Sequence, residues 1–402
     1  MVKIMTSLED KIYSEAQNDH EYIVALRRYF HAHPELPKQE FHTAEKIEEE
    51  LHKIGLETKR VGETGVYAEI HGEKEGDKTI VLRADIDALP ITEEHICEYT
   101  STNPGVMHAC GHDAHAAGLI GAARLLVKNK NQFGGTVRLT FQQAEEIGYG
   151  ARVFVNEGYL DGANRTFGIH MASNVPAGSV VLMPGPNNAS VDWFRINVHG
   201  LAAHVSTPEK GIDAAYIASQ IVISLQAIVT RRTSPMDNAL IGIGKITAGT
   251  AYNIVAQEAQ IEGTIRVFTP EIRKFIKEQI EKVSTLVAET YGGTVDFEWN
   301  DNTSPLINDL KATEEVQSVA KRVFGEDKVI TQREPSLGGD DFAEYILKVP
   351  GCYGFVGSGN KEVPETTVAH HNSHFDIDEK ALLVSSTLYA EYAVDYLNNT
   401  IE

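Results

Sequence analysis

Cysteine is scarce in this chain. Cys97, Cys110 and Cys352 are its only three in 402 residues, an odd, sparse set that excludes a disulfide framework and implies a reducing compartment. Positive charge is also short: 36 Lys and Arg stand against 57 Asp and Glu, a net charge of −21. That imbalance excludes a nucleic-acid partner and an anionic membrane surface, because both would repel so negative a protein. No apolar run reads as long enough to span a membrane, and the opening stretch MVKIMTSLEDKIYSEAQ is charged and helix-like, without the apolar core of a secretion signal. The expectation is a soluble, cytoplasmic protein. At 42% hydrophobic the composition is that of a globular chain, and its length predicts two domains, at most three.

Periodicity divides the chain further. Residues 7–55 read as two helices broken at Pro34 and Pro37, the second ending at Gly55. Then GVYAEI, KTIVLRADIDALP, TVRLTF and FGIHMA read as strands alternating with helical stretches. That order predicts a three-layer α/β domain with a central mixed sheet, its functional residues at strand ends. Near residue 188 the pattern changes. VDWFRINVHG, a helix over 211–231, ALIGIGKITAG, EAQIEGTIRVF, a helix over 270–291 and GTVDFEWN give β-α-β-β-α-β, the ferredoxin-like split unit. The expected partition is 1–187 and 303–402 for the α/β domain, with 188–302 inserted between its parts.

Chemistry concentrates in GVMHACGHDAH, residues 105–115, which holds three of sixteen histidines and one of three cysteines. Taken singly, a cysteine is more often a core residue and a histidine at a helix start more often a cap. Together, Cys110 and His112 offer a thiolate and an imidazole, ligands for borderline-soft divalent metals. Apolar helical spacing after His115 sets Cys110 at or just before a helix N-terminus, where amides and dipole would favour its thiolate. Two ligands do not complete a site. Further candidates are the acidic pair Glu145 and Glu146 after the TVRLTF strand, His170 ending FGIH, and the cluster His370-His371-Asn372-Ser373-His374. Asp85 and Asp87, two apart at a strand end, face one side, as do carboxylates that orient a ligating imidazole.

In order along the chain, LRRYFHAHPEL with Glu40 and Thr43, RADIDALP, MHACGHDAH, FQQAEE, GIH, GLAAH, AYNIVAQEAQIEGTIR, DDFA and HNSHFDIDE resemble the di-metal amidohydrolases of the aminoacylase/carboxypeptidase type. Within these the motifs are most similar to the hydrolases of indole-acetyl-amino acids, hippurate and other N-acyl amino acids. The resemblance runs from residue 27 to 380. It implies an α/β catalytic domain interrupted by a ferredoxin-like lid through which two copies dimerise. It further implies two divalent cations per subunit, zinc or manganese with cobalt or nickel as alternatives, held by Cys110, His112, Glu146, His170 and His371. Glu145 would be the general base, with His204 and Asn253 polarising the scissile carbonyl and Arg266 gripping the substrate carboxylate. Asp85 and Asp87 would support the ligands. His371, rather than His370 or His374, matches the first position of the family's His-x-x-x-Phe run. Departures from the pattern are Gln143 where many relatives have proline, Gly339-Asp340 before Asp341-Phe342 in place of Ser-Glu, Ser373 for a common proline, and Met171-Ala172-Ser173 after His170. They bear on the acyl pocket and leave ligands and base intact. The implied substrate is a small N-acyl amino acid. A dipeptidase or exopeptidase of the same family is the rival enzyme, and a non-catalytic, metal-stabilised binding protein is the rival of another class.

Overall fold

The computed structural model describes residues 8–399; residues 1–7, the start of the charged lead-in, lie outside them. The chain divides into two compact units: Met1–Gly185 with Asn308–Glu334 and Asp341–Glu402, and Pro186–Ile307 with Pro335–Asp340.

The larger unit is built on an eight-stranded mixed sheet. Its middle consists of four strands, Gly134–Gln142, Lys74–Asp85, Arg165–Pro176 and Gly351–Gly359, adjacent in that order and mutually parallel. These are the apolar runs. Ile80, Leu82 and Ala84, then Val137, Leu139 and Phe141, are fully buried, as expected of strands covered on both faces. The helix His112–Lys128 is apolar nearly all round and packs against Leu8–Ala32 and Lys380–Asn398 as well as the sheet, so it is a core helix rather than a surface one. Parallel strands deliver their C-terminal ends to one edge of the sheet, and Asp85 stands opposite Gln142 there. Phe355 likewise pairs with His170. The strand that ends at Gln142 leads directly into Glu145 and Glu146 there.

The smaller unit carries Val191–His199, Ala214–Ala227, Ala239–Ala248, Glu258–Val267, Pro270–Thr290 and Thr294–Thr303 in β-α-β-β-α-β order. Its four strands pair antiparallel. Both helices cover one face: Ile217, Ile221, Ile276 and Ile280 bury against Phe194, Ile196, Ile261 and Ile265. The first helix starts at Ala214 rather than 211 because Asp213 accepts the amides of Ala215 and Tyr216. The expectation of no membrane-length apolar run needs correction, since Ala214–Arg232 passes by length and composition. Its buried positions, Ala214, Ile217, Ala218, Ile221 and Leu225, fall on one face and pack on the sheet, as in an amphipathic helix.

Candidate metal centre

Three structural devices bring the donors together. Gly111, at φ +93°, is the N-cap of the helix that begins at His112. This left-handed turn, which a side chain would strain, separates the directions of Cys110 and His112. Glu145 and Glu146 follow the end of the strand Gly134–Gln142. His371, itself left-handed at φ +65°, donates its N–H to the Ala109 carbonyl at 2.8 Å, which hooks the 370s segment onto the cysteine loop.

The side chains then converge. Cys110 Sγ lies 3.4 Å from His170 Nε2, His112 Nε2 is 3.8 Å from Glu146 Oε1 and 3.9 Å from Glu145 Oε2, and His371 Nε2 is 3.5 Å from the same Glu146 oxygen. Donor atoms of Cys110, His112 and His170, of Cys110, Glu146 and His371, and of His112, Glu145 and Glu146 form three triads, each within 4.8 Å. His370 and His374 join none of these triads, although the His370 ring packs 5.2 Å from that of His170.

The imidazoles are pre-set as ligands. His112 Nδ1 donates to the Asp87 carbonyl at 2.9 Å and His170 Nδ1 to the Met171 carbonyl at 2.7 Å, so each presents an Nε2 lone pair inward. Besides its main-chain carbonyl, the Asp87 carboxylate stands 3.4 Å from His112 Nδ1. That carboxylate also accepts the amides of Glu145 and Glu146, each at 3.0 Å. Asp85 is engaged elsewhere. It takes the Nδ1 proton of His115 at 2.5 Å and the Arg83 guanidinium at 2.6 Å. Because His115 Nε2 then accepts the Met171 amide at 2.8 Å, both of its nitrogens are used and it is no ligand.

Electrostatics show what the donor set requires. Burial, then the carboxylates of Glu146, Glu145 and Asp85, push the Cys110 thiol well above its usual value, so a thiolate here needs more positive charge than a helix terminus supplies. Burial opposes a cationic His112, but Asp85 and Asp87 outweigh it and lift the group to about 10. Glu146 rises to about 7, chiefly through burial. Such a pocket calls for positive charge. Nε2 of His112 and Oε1 of Glu146, moreover, are buried without a hydrogen-bond partner, where native structures seldom leave polar atoms orphaned. A soft thiolate, imidazoles and a carboxylate, with tautomers already fixed, fit divalent cations.

A family model, peptidase family M20/M25/M40, matches residues 81–395. The chain belongs to this family. Among similar members, an N-acetyl-L-cysteine deacetylase of Bacillus subtilis is 37% identical over 381 residues, 94% of this chain and 89% of that protein. Thermostable carboxypeptidase 1 of Saccharolobus solfataricus is 36% identical over 396 residues, 97% and 99% of the two chains. The crystal structure of a dinuclear metal-binding M20-family peptidase from Bacillus subtilis superposes with a TM-score of 0.83 at 36% identity, covering 95% and 99%. This M20 chain has the family's α/β architecture and carries candidate donor groups for metal ions.

The remaining expected residues lie in the smaller unit. His204 is exposed, its Nδ1 accepting the Ser206 amide at 3.1 Å, so the proton sits on Nε2. Asn253 stands beside it, its carbonyl accepting the Val205 N–H at 3.1 Å, and the two segments bridge at His204 and Ile254. Arg266 does not join them. It lies near the far end of Glu258–Val267 on the face away from the helices, and eight residues of strand at about 3.4 Å each set it about 27 Å from the Glu258 end, which adjoins Asn253. Half-burial lowers its pKa below the usual arginine range.

The sequence reading left out a buried charge cluster in the larger unit. Arg27, wholly inaccessible, donates to Asp113 at 2.8 Å and to Asp376 at 2.7 Å. His31 touches Asp113 at 2.7 Å and Glu93 at 3.0 Å. Burial and Arg27 work against a cationic His31, yet those two carboxylates raise its pKa. The available signal was LRRYFHAH, an arginine and a histidine four apart on a helix, hence on one face.

Proposed function

We propose that this chain is a di-metal amidohydrolase that cleaves the amide bond of N-acyl amino acids, giving a carboxylate and a free amino acid. The reading is carried by one observation: the donors of Cys110, His112, Glu146, His170 and His371 adjoin a further carboxylate, Glu145. Cys110, His112, Glu146, His170 and His371 would hold two divalent cations; the thiolate suits zinc by softness, and the resemblance to the family also allows manganese. When bound, the cations supply Lewis acidity and lower the pKa of water from near 16 toward about 7.

Glu145 acts as the proton carrier. Its carboxylate takes the proton of the attacking water and returns it to the leaving nitrogen, so the amine departs neutral. Asp87 holds the Glu145 and Glu146 amides, which keeps these neighbouring carboxylates aimed at different tasks. His204 Nε2–H and the Asn253 side chain donate to the carbonyl oxygen as it gains charge, each worth about 3–4 kcal/mol in comparable sites. Arg266 holds the substrate carboxylate. Because His204 and Asn253 lie near one end of a strand and Arg266 near the other, one inserted unit does not present all three to one small substrate. That separation favours a homodimer whose copies exchange these groups. Three free cysteines suit a cytoplasmic setting.

The name of the Saccharolobus relative, a carboxypeptidase, favours a second reading in which the acyl group is an amino acid or peptide. A panel of N-acetyl and N-benzoyl amino acids, dipeptides and benzyloxycarbonyl-dipeptides, assayed by release of free amine with zinc- and manganese-loaded protein, separates the two. Turnover of simple acyl derivatives at kcat/KM at least about tenfold above the peptides supports deacylation, and the reverse order supports the peptidase. Hydrolysis of none of them sinks both.

A further inference from the structure

The turn carrying Glu145 and Glu146 contains a conformation its sequence disfavours. Ala144 has φ +54°, and a left-handed non-glycine residue costs about 1–2 kcal/mol, or about 5- to 30-fold in population. Three consecutive amides are gripped at this turn. The Ala144 N–H donates to Glu40 Oε1 at 2.9 Å, and the next two donate to the two oxygens of Asp87. From behind, the Ala144 carbonyl accepts the Tyr149 amide at 3.1 Å. Gly150 lets the chain close, since a Cβ there would fall 1.6 Å from the Gln143 carbonyl oxygen.

Glu40 lies at the start of the helix Phe41–Lys53, 104 residues from Ala144. It is wholly buried, and its second oxygen accepts the Thr64 hydroxyl at 2.7 Å. Among the described residues, no basic side chain forms an ion pair with it. A buried carboxylate without a countercharge is costly, and its contacts point only to what it holds: the hydroxyl of a neighbouring loop and the amide of the left-handed residue.

We propose that Glu40 is a positioning residue for the reaction, its carboxylate locking Ala144 left-handed so that Glu145 points at the reacting atoms. It touches neither substrate nor donor atoms and acts only through the backbone of Ala144. The proposal rests on the reading of Glu145 as proton carrier, and its test is arranged so that the two fail separately.

Full-length, zinc-loaded protein is compared as wild type, Glu40→Ala, Glu40→Gln, Ala144→Gly and the double variant Glu40→Ala/Ala144→Gly. Steady-state kinetics use N-acetyl-L-methionine, and zinc affinity is read by chelator competition because Glu146 shares the turn. Glu40→Ala is expected to lower kcat about 5- to 30-fold, the population penalty above, with KM within about threefold. Glu40→Gln stays near wild type, since its amide oxygen accepts from Ala144 while its nitrogen donates to Thr64. Adding Ala144→Gly to Glu40→Ala recovers most of the loss, because glycine adopts positive φ unaided. Zinc affinity follows the same order: weakened in Glu40→Ala and regained in the double variant. Wild-type kcat and zinc affinity in Glu40→Ala would overturn the proposal. So would a Glu40→Ala loss that Ala144→Gly leaves untouched, or a Glu40→Gln variant as damaged as the alanine. If the wild type hydrolyses no substrate in the panel, the functional reading falls and the zinc series alone decides the role of Glu40.

Discussion

Glu145→Gln keeps the size of a side chain and removes its capacity to carry a proton. If Glu145 is the proton carrier, this variant loses about 10²–10⁴-fold in kcat while its metal content and melting temperature stay at wild-type values. Near-normal turnover with metals bound would assign the proton to another group. Cys110→Ala makes the complementary case. It deletes the donor shared by two of the triads, so zinc affinity should fall by at least the about 10–100-fold that loss of a supporting hydrogen bond costs. Equilibrium dialysis measures this, and an undiminished affinity would remove the thiolate from the site. The two variants separate holding from reacting: one keeps metal without turnover, the other loses the metal itself.

Elements, not single residues, keep the donors in register, and Arg27 links three of them. From the helix Leu8–Ala32 it reaches Asp113, next to His112, and Asp376, five residues beyond His371. Arg27→Met leaves those two carboxylates without their principal countercharge, so unfolding free energy should drop by about 3–5 kcal/mol. The sign of its pH dependence follows. Although burial alone would raise them, Arg27 holds both aspartates below their ordinary 3.8. The stability they contribute is present above 3.8 and is lost as pH falls below it. Denaturant melts should therefore show the widest gap between wild type and Arg27→Met near pH 6–7, narrowing towards pH 3. A gap independent of pH would mean that Arg27 acts by packing alone. Distance in sequence also explains what could be read in advance. The runs TIVLRAD, VRLTF and FGIH were legible as central strands because they are continuous, apolar and end in acids or histidine. Cys110, His112 and the acidic pair were legible because they cluster within a few residues. Arg27 lies 86 residues from Asp113 and 349 from Asp376, and Glu40 lies 104 from Ala144, so no local pattern announces those contacts. The last two strands at one end of the sheet, Val180–Val181 and Val329–Ile330, are too short to show any periodicity.

The molecule as a whole is a large α/β unit interrupted by a ferredoxin-like one, and the proposed function needs groups from both. If copies exchange inserted-unit groups, two differently disabled variants should rescue each other. Glu145→Gln and His204→Ala, each inactive alone, would give about a quarter of wild-type activity after subunit exchange at equal amounts, because half of the dimers are mixed and each mixed dimer has one intact site. Activity that stays at zero, with a monomeric mass by light scattering, would rule out shared sites. The whole account stands most directly on metal content. Elemental analysis of the zinc-loaded, desalted protein should find two ions per chain, falling to one or none in Cys110→Ala. A chain that retains no zinc yet hydrolyses N-acetyl-L-methionine at an undiminished rate with chelator present would contradict it.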